Sequence, residues 1–423
     1  MFGVVNLMKV FKRIKSKDNI KYIQKFLICM LVFVTLPNVF GLSYIYNLSK
    51  TVTDESSISA VAPVAPTFAF QSKAQLLMEP STGTVIYANN ENEHIFPASV
   101  TKVMSLLLTM EAIDSGKLKY TDIITCSKTA SGLGGSQIWF QPGEKLTVDE
   151  ALKAICVVSA NDVTTAVGEH LAGTEGNFVV QMNTKAKELG MVNTNFVNCH
   201  GLHDPNHYTS ALDIAIMSRE LITKHPDILK YTSIWMDTLR NGTFGLNSTN
   251  KLIRFYEGAT GLKTGSTPQA LFNLSASATR EGTTFLAVVC TAPSGDIRNE
   301  EVKQLLDYGF ANYKTKNIFV KNTVLESIKI NKSLVKKFDV TINEDVNVLY
   351  EKGREIEYNQ QIVYNTDLKA PILKSTSIGK ITITSKTDGK LISEKNVVIN
   401  EDICKSKMME YYIFLIKKVL VLG

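Results

Sequence analysis

No two of the six cysteines stand in a C-x-x-C pair; Cys29, Cys126, Cys156, Cys199, Cys290 and Cys404 are scattered, and Cys156 and Cys290 fall in apolar runs that read as core. That argues against a zinc set and against a disulfide framework. Most of the chain also lacks net charge. The formal +6 resides in residues 1–25, where Lys9, Lys12, Arg13, Lys15, Lys17, Lys21 and Lys25 face only Asp18. Beyond them, 46 − 7 = 39 basic and 40 − 1 = 39 acidic side chains balance. No basic face remains for nucleic acid. The apolar run after the basic leader, Phe26–Leu36, is short and softens towards Tyr46. No small-residue cleavage site follows it closely, the nearest being "SAVA" at 59–62. Basic flank, apolar stretch and polar exit is the layout of an export signal, or of an uncleaved anchor whose basic flank stays cytoplasmic.

What is present is a globular chain: 423 residues, 44% hydrophobic and 20% charged, with 19 Phe and 15 Tyr, enough for two or three domains. Residues 1–50 read as the signal or anchor and 51–73, rich in Ser, Ala and Pro, as a linker. Residues 74–315 read as an α+β domain. A strand–turn–strand ("AQLLMEP", Ser81-Thr82-Gly83, "TVIYANN") opens it, and helical patterns run from 97 to 224 with a Gly-rich break at 131–137. Strands return over 251–292, including "TTFLAVVCTA", and a closing helix is expected at 299–313. Residues 316–402 alternate polar and apolar and carry Asp388-Gly389, a hairpin signal, which predicts a small all-β domain. In 408–423 only Glu410, Lys417 and Lys418 interrupt the apolar run, at i, i+7 and i+8. Sixteen residues are short for a span, so an amphipathic, membrane-associating tail over 403–423 is expected.

Three short motifs carry chemistry. In "PASVTKVM", Ser99 stands where a helix N-cap belongs, and Lys102 stands where a capping box would place Glu or Gln. A cation there opposes the helix dipole. The same field, with desolvation, lowers the lysine pKa, and an amine one turn from a serine hydroxyl can take its proton. Ser159-Ala160-Asn161 fills a turn between two helices, offering a second hydroxyl and a carboxamide; alone it reads rather as a helix N-cap. Lys263-Thr264-Gly265, followed by Ser266, supplies a cation, a hydroxyl and a glycine in a strand region; alone it is an ordinary surface edge.

In this order, S-x-x-K, S-x-N and K-T-G resemble the penicillin-recognising serine enzymes. The segments "GGSQIWFQPGEKLTVDEAL", "VSANDVTTAVGEHLAG" and "TSALDIAIMSREL" narrow the resemblance to the low-molecular-mass penicillin-binding proteins that are D-alanyl-D-alanine carboxypeptidases. It implies a β-lactamase/transpeptidase-like domain, an antiparallel sheet with a helical cluster, followed by a small β domain. It also implies Ser99 as nucleophile, Lys102 as its base, and Ser159 and Asn161 for proton shuttling and substrate amide binding. Lys263 and Thr264 would bind a terminal carboxylate, Gly265 would admit the substrate backbone, and the N–H groups of Ser99 and Ser266 would form the oxyanion hole. The implied partners are peptidoglycan stem peptides, β-lactams as acylating inhibitors and the extracytoplasmic membrane surface, with no cofactor. His200, His203 and His207 share a loop, but it matches a structural loop of the family and the S-x-x-K mechanism needs no metal. Thr260 stands where the family commonly has an acidic residue, and Leu271 where glycine is usual. These departures sustain the alternative of a catalytically weak penicillin-binding receptor or scaffold. A β-lactamase of the same fold lacks its E-x-x-L-N segment here.

Overall fold

The computed structural model describes residues 57–59, 68–331, 333, 337–354, 356–365, 368–386 and 389–405. The leader at 1–50, most of the linker and the tail at 408–423 lie outside the described residues.

Five antiparallel strands form the main sheet: β1 (Ala74–Glu79), β2 (Thr84–Asn89), β3 (Ala259–Thr267), β4 (Leu271–Arg280) and β5 (Thr283–Ala292), in the order β2-β1-β5-β4-β3. β5 shows why its sequence is apolar almost throughout. Phe285, Ala287 and Val289 face one layer while Leu286, Val288 and Cys290 face the other, and a strand covered on both faces loses the polar half of its alternation. One layer is the helix α6 (Gly295–Asn312), through Val302, Leu305, Leu306 and Phe310. The other is a cluster of α1 (Lys102–Asp114), α2 (Val148–Val157), α3 (Asn161–Ala172), α4 (Glu175–Glu188) and α5 (Ala211–Lys224). The β1–β2 turn is tied by the buried Glu79 carboxylate, which accepts hydrogen bonds from the N–H and hydroxyl groups of Ser81 and Thr82. A capping box between Thr147 and Glu150 starts α2.

The chain after α6 is all β, as expected. The strands Ile356–Tyr364, Ser377–Ser385, Leu391–Ile399, Phe338–Ile342 and Val324–Ile328 lie side by side around Val340, Ile342, Ile381, Ile383, Val397 and Ile399. Ser377–Ser385 and Leu391–Ile399 pair antiparallel as the hairpin signal requires, although Asp388 itself lies outside the described residues.

Two parts of the expected linker are structured. Ser57–Ser59 adds a strand to the exposed edge at Ile356–Glu357, satisfying backbone groups that an edge leaves open. Phe68 and Phe70 stack on each other against Tyr87 and Tyr308, and Ser72 bonds Glu301 on α6. Sequence reading also passed over the hairpin Met236–Leu239/Phe244–Asn247 and the short pair Ile123–Thr125/Lys145–Thr147.

Candidate active site

The turn that carries Ser99 departs from a capped helix. Ala98–Thr101 is a 3₁₀ turn running into α1, and no side chain caps either start, so the Ser99 hydroxyl is not occupied by a backbone N–H. Ala98 sits at φ +48, a left-handed conformation costing a residue with a Cβ roughly 1–2 kcal/mol. The turn is held from several sides. Asn273 on β4 donates to Phe96 O (2.8 Å) and Pro97 O (3.1 Å), and Thr101 donates to Ala98 O (2.8 Å). Gly265 on β3 lies so close that a Cβ would stand 2.6 Å from Pro97 O and 3.0 Å from Ser99 N. The sequence suggested that Gly265 admits a substrate backbone; among the described residues it lies against the backbone of the Ser99 turn.

Lys102 is fully buried. Its Nζ lies 3.0 Å from Ser99 Oγ, 2.6 Å from Asn161 Oδ1 and 2.6 Å from His200 O. Burial first, and then the nearby charge of Lys263, push its pKa well below the ordinary lysine value. A neutral amine has two protons and one lone pair. Two fixed carbonyl acceptors take the protons, which leaves the lone pair for the serine hydroxyl. That is the arrangement of a base.

Asn161 opens α3 and is tied in place. Its Nδ2 donates to Gly134 O (2.7 Å) and its backbone N–H to Ser136 O (2.7 Å). The next residue, Asp162, is fully buried and receives the N–H groups of Ile138 (3.1 Å) and Phe140 (2.9 Å), fastening the loop that carries those carbonyls. Ser159 stands at φ +64 in the α2–α3 turn, and its buried Oγ has no partner among the described residues. Lys263 is buried on β3, donates to Thr264 O (2.9 Å) and is lowered by burial to about 7. Thr264 Oγ1 meets Thr249 Oγ1 at 2.7 Å, and Ser266 is exposed. Ser99, Lys102 and Asn161 thus form one bonded group, with Gly265 against it and Lys263 within electrostatic reach.

Sequence reasoning missed Asp162, Asn273 and the His200 carbonyl. An acidic residue in the first turn of α3, and a polar residue at a buried strand position, were the available signals. The loop histidines have separate roles. His200 accepts from Leu202 N–H and lies 3.3 Å from Glu175, His203 packs edge-on against Phe96, and His207 meets Thr101. Thr260 bonds Ser277, and Leu271 sits at φ +54, a conformation that explains a preference for glycine there.

A sheet carrying K-T-G on one strand, closed against a helical cluster carrying S-x-x-K and S-x-N, is the layout of the penicillin-recognising serine enzymes. The chain belongs to the D-alanyl-D-alanine carboxypeptidase family, peptidase S11, whose sequence profile matches residues 59–294. Residues 313–405 match the profile of the penicillin-binding protein 5 C-terminal domain. The chain is 40% identical to the D-alanyl-D-alanine carboxypeptidase DacF of Bacillus subtilis over 81% of its own length and 88% of that relative. The DacA enzyme of Haemophilus influenzae is 31% identical over 78% of this chain and 84% of its own. Among solved structures, penicillin-binding protein 5 from Haemophilus influenzae superposes with a TM-score of 0.66 at 30% identity, covering 81% of this chain and all of that one. The ampicillin-bound penicillin-binding protein D2 of Listeria monocytogenes gives 0.54 at 28% identity, covering 58% of this chain and all of that one.

Proposed function

We propose that the protein is a serine-type D-Ala-D-Ala carboxypeptidase that removes the terminal D-alanine of peptidoglycan stem peptides. The observation that carries this is the fully buried amine of Lys102, 3.0 Å from the Ser99 hydroxyl and committed to two carbonyls on its other side. Lys102 takes the Ser99 proton and Ser99 Oγ attacks the penultimate carbonyl carbon. The N–H groups of Ser99 and Ser266 hold the oxyanion. As the C–N bond breaks, the proton passes through Ser159 Oγ to the leaving amine of D-alanine. Water, with Lys102 as base again, then cleaves the serine ester. Lys263 and Thr264 hold the substrate carboxylate. A β-lactam would acylate the same serine.

Location belongs to the same reading: export through the basic–apolar leader, action on the extracytoplasmic face, and a tail resting on the membrane surface. No helix among the described residues is long and apolar enough to cross a membrane.

The test is release of D-alanine from a peptide ending Lys-D-Ala-D-Ala, with covalent labelling by a fluorescent penicillin. Ser99→Ala should abolish both and Lys102→Ala should nearly abolish both while the protein stays folded. Labelling that survives in Ser99→Ala overturns the assignment.

A further inference from the structure

We infer that His207, through Thr101, positions the peptide bond leading into Ser99; this rests on the proposed role of Ser99. A proton count along a buried chain of groups supports it. The N–H groups of Val197 (3.0 Å) and Asn198 (3.4 Å) both point at His207 Nδ1, which is therefore an acceptor. The ring proton then sits on Nε2, which donates to Thr101 Oγ1 at 2.8 Å. A hydroxyl has one proton, and with an N–H arriving at its oxygen that proton is free to go to Ala98 O, 2.8 Å away. The opposite tautomer would draw the Thr101 proton towards the ring and leave Ala98 O without that donor. Both residues are buried, and burial lowers His207 to about 4, so the ring stays neutral at neutral pH.

The Ala98 carbonyl is not an arbitrary end point. It shares one planar trans peptide with the Ser99 N–H, and the two groups point in opposite directions. Fixing Ala98 O on the Thr101 hydroxyl therefore aims the Ser99 N–H, the proposed oxyanion donor, towards β3. A hydrogen bond on the carbonyl also polarises the peptide and strengthens that N–H as a donor. The histidine loop closes the other side of the same carbonyl. Gly201, at φ +90, lies where a Cβ would stand 1.9 Å from Ala98 O. One loop thus supplies Gly201 against the carbonyl, His200 O to Lys102 and His207 to Thr101.

An oxyanion exists only after attack, so the relay acts on the acylation rate and not on ground-state binding. The experiment is time-resolved acylation of the full chain by a fluorescent penicillin, resolving the dissociation constant from the acylation rate constant. His207→Phe keeps a ring and removes both nitrogens; Thr101→Val keeps the shape and removes the hydroxyl. Each should lower the rate constant about tenfold with binding unchanged. The double variant should be no slower than the slower single one. His207→Gln, whose amide can both accept and donate, should recover most of the rate. An unchanged rate constant, a loss confined to binding, or losses that multiply in the double variant overturn the relay. If His207→Phe does not fold, Thr101→Val and His207→Gln decide by the rate-constant and binding readings. Wild-type labelling at Ser99 is the control: its absence overturns the proposed function instead.

Discussion

Lys263 is a lysine in a place that disfavours its charge. Burial lowers it to about 7, so the free protein loses this cation as the pH rises through neutrality. A terminal carboxylate gains from the charged form; an amidated terminus does not. Losing a hydrogen bond to a charged group is worth about 1.5–3 kcal/mol, roughly ten- to a hundredfold in kcat/KM. The acid should therefore be preferred over its amide by that factor below pH 7, and the preference should shrink above it. Measuring kcat/KM for both substrates across pH checks this, and Lys263→Ala should show no preference at any pH. Equal cleavage of both by the wild type would remove the basis for a carboxypeptidase. The pairing of Ser99 with Lys102 was legible because residues three apart on a helical turn share a face. The influence of Lys263 on Lys102 was not, because it depends on β3 closing against α1. Asn273 and His207 were hard to assign for another reason: Asn273 bonds carbonyls and His207 Nδ1 accepts N–H groups, which every residue has, and the Thr101 hydroxyl on His207 Nε2 lies 106 positions away in the chain.

Among the elements, periodicity identified β1, β2, β5 and the α2–α3 pair nearly to the residue. All but β2, whose residues are exposed or half-buried and which follows a readable turn, bury one or both faces, so their side chains record the geometry. It failed at the hairpin Met236–Leu239/Phe244–Asn247, where each four-residue strand buries a single leucine, Leu239 or Leu246, and one buried position sets no period. The start of α1 was read as a capped helix because Ser99 has the right chemistry; the structure spends that hydroxyl elsewhere. In the loop before α2 the Asp162 carboxylate takes the N–H groups of Ile138 and Phe140, while Arg240 donates to Ile138 O. Asp162→Ala leaves two buried N–H donors unpaired, at about 1–3 kcal/mol each. It should lower stability in denaturant unfolding by about 2–5 kcal/mol and raise KM by loosening the carbonyls that hold Asn161. Unchanged stability and KM would show that the loop keeps its place without Asp162.

For the whole molecule, periodicity was enough to separate an α+β unit from an all-β one, because the switch from 3.6-residue to two-residue spacing survives any detail of packing. Composition treated 51–73 as one linker because neither a three-residue edge strand nor two aromatic residues shift an average. The tail is open to a direct test. Deleting 408–423 from a chain whose leader has been cleaved should move the protein from the membrane pellet to the soluble fraction, with unchanged hydrolysis of a soluble peptide. A truncated protein that still pellets would assign the attachment to the leader at 26–46.

The contact between Gly265 and the turn at Pro97–Val100 also orders events in time. These segments meet across more than 160 positions of chain, and contacts of such separation form late because loop closure must precede them. Until β3 arrives, the Ala98 conformation lacks its support on that side and the proposed oxyanion donors are apart. On the proposed function, a newly made or partly unfolded chain thus carries an ordinary serine, and reactivity towards peptides and β-lactams comes only with the finished fold.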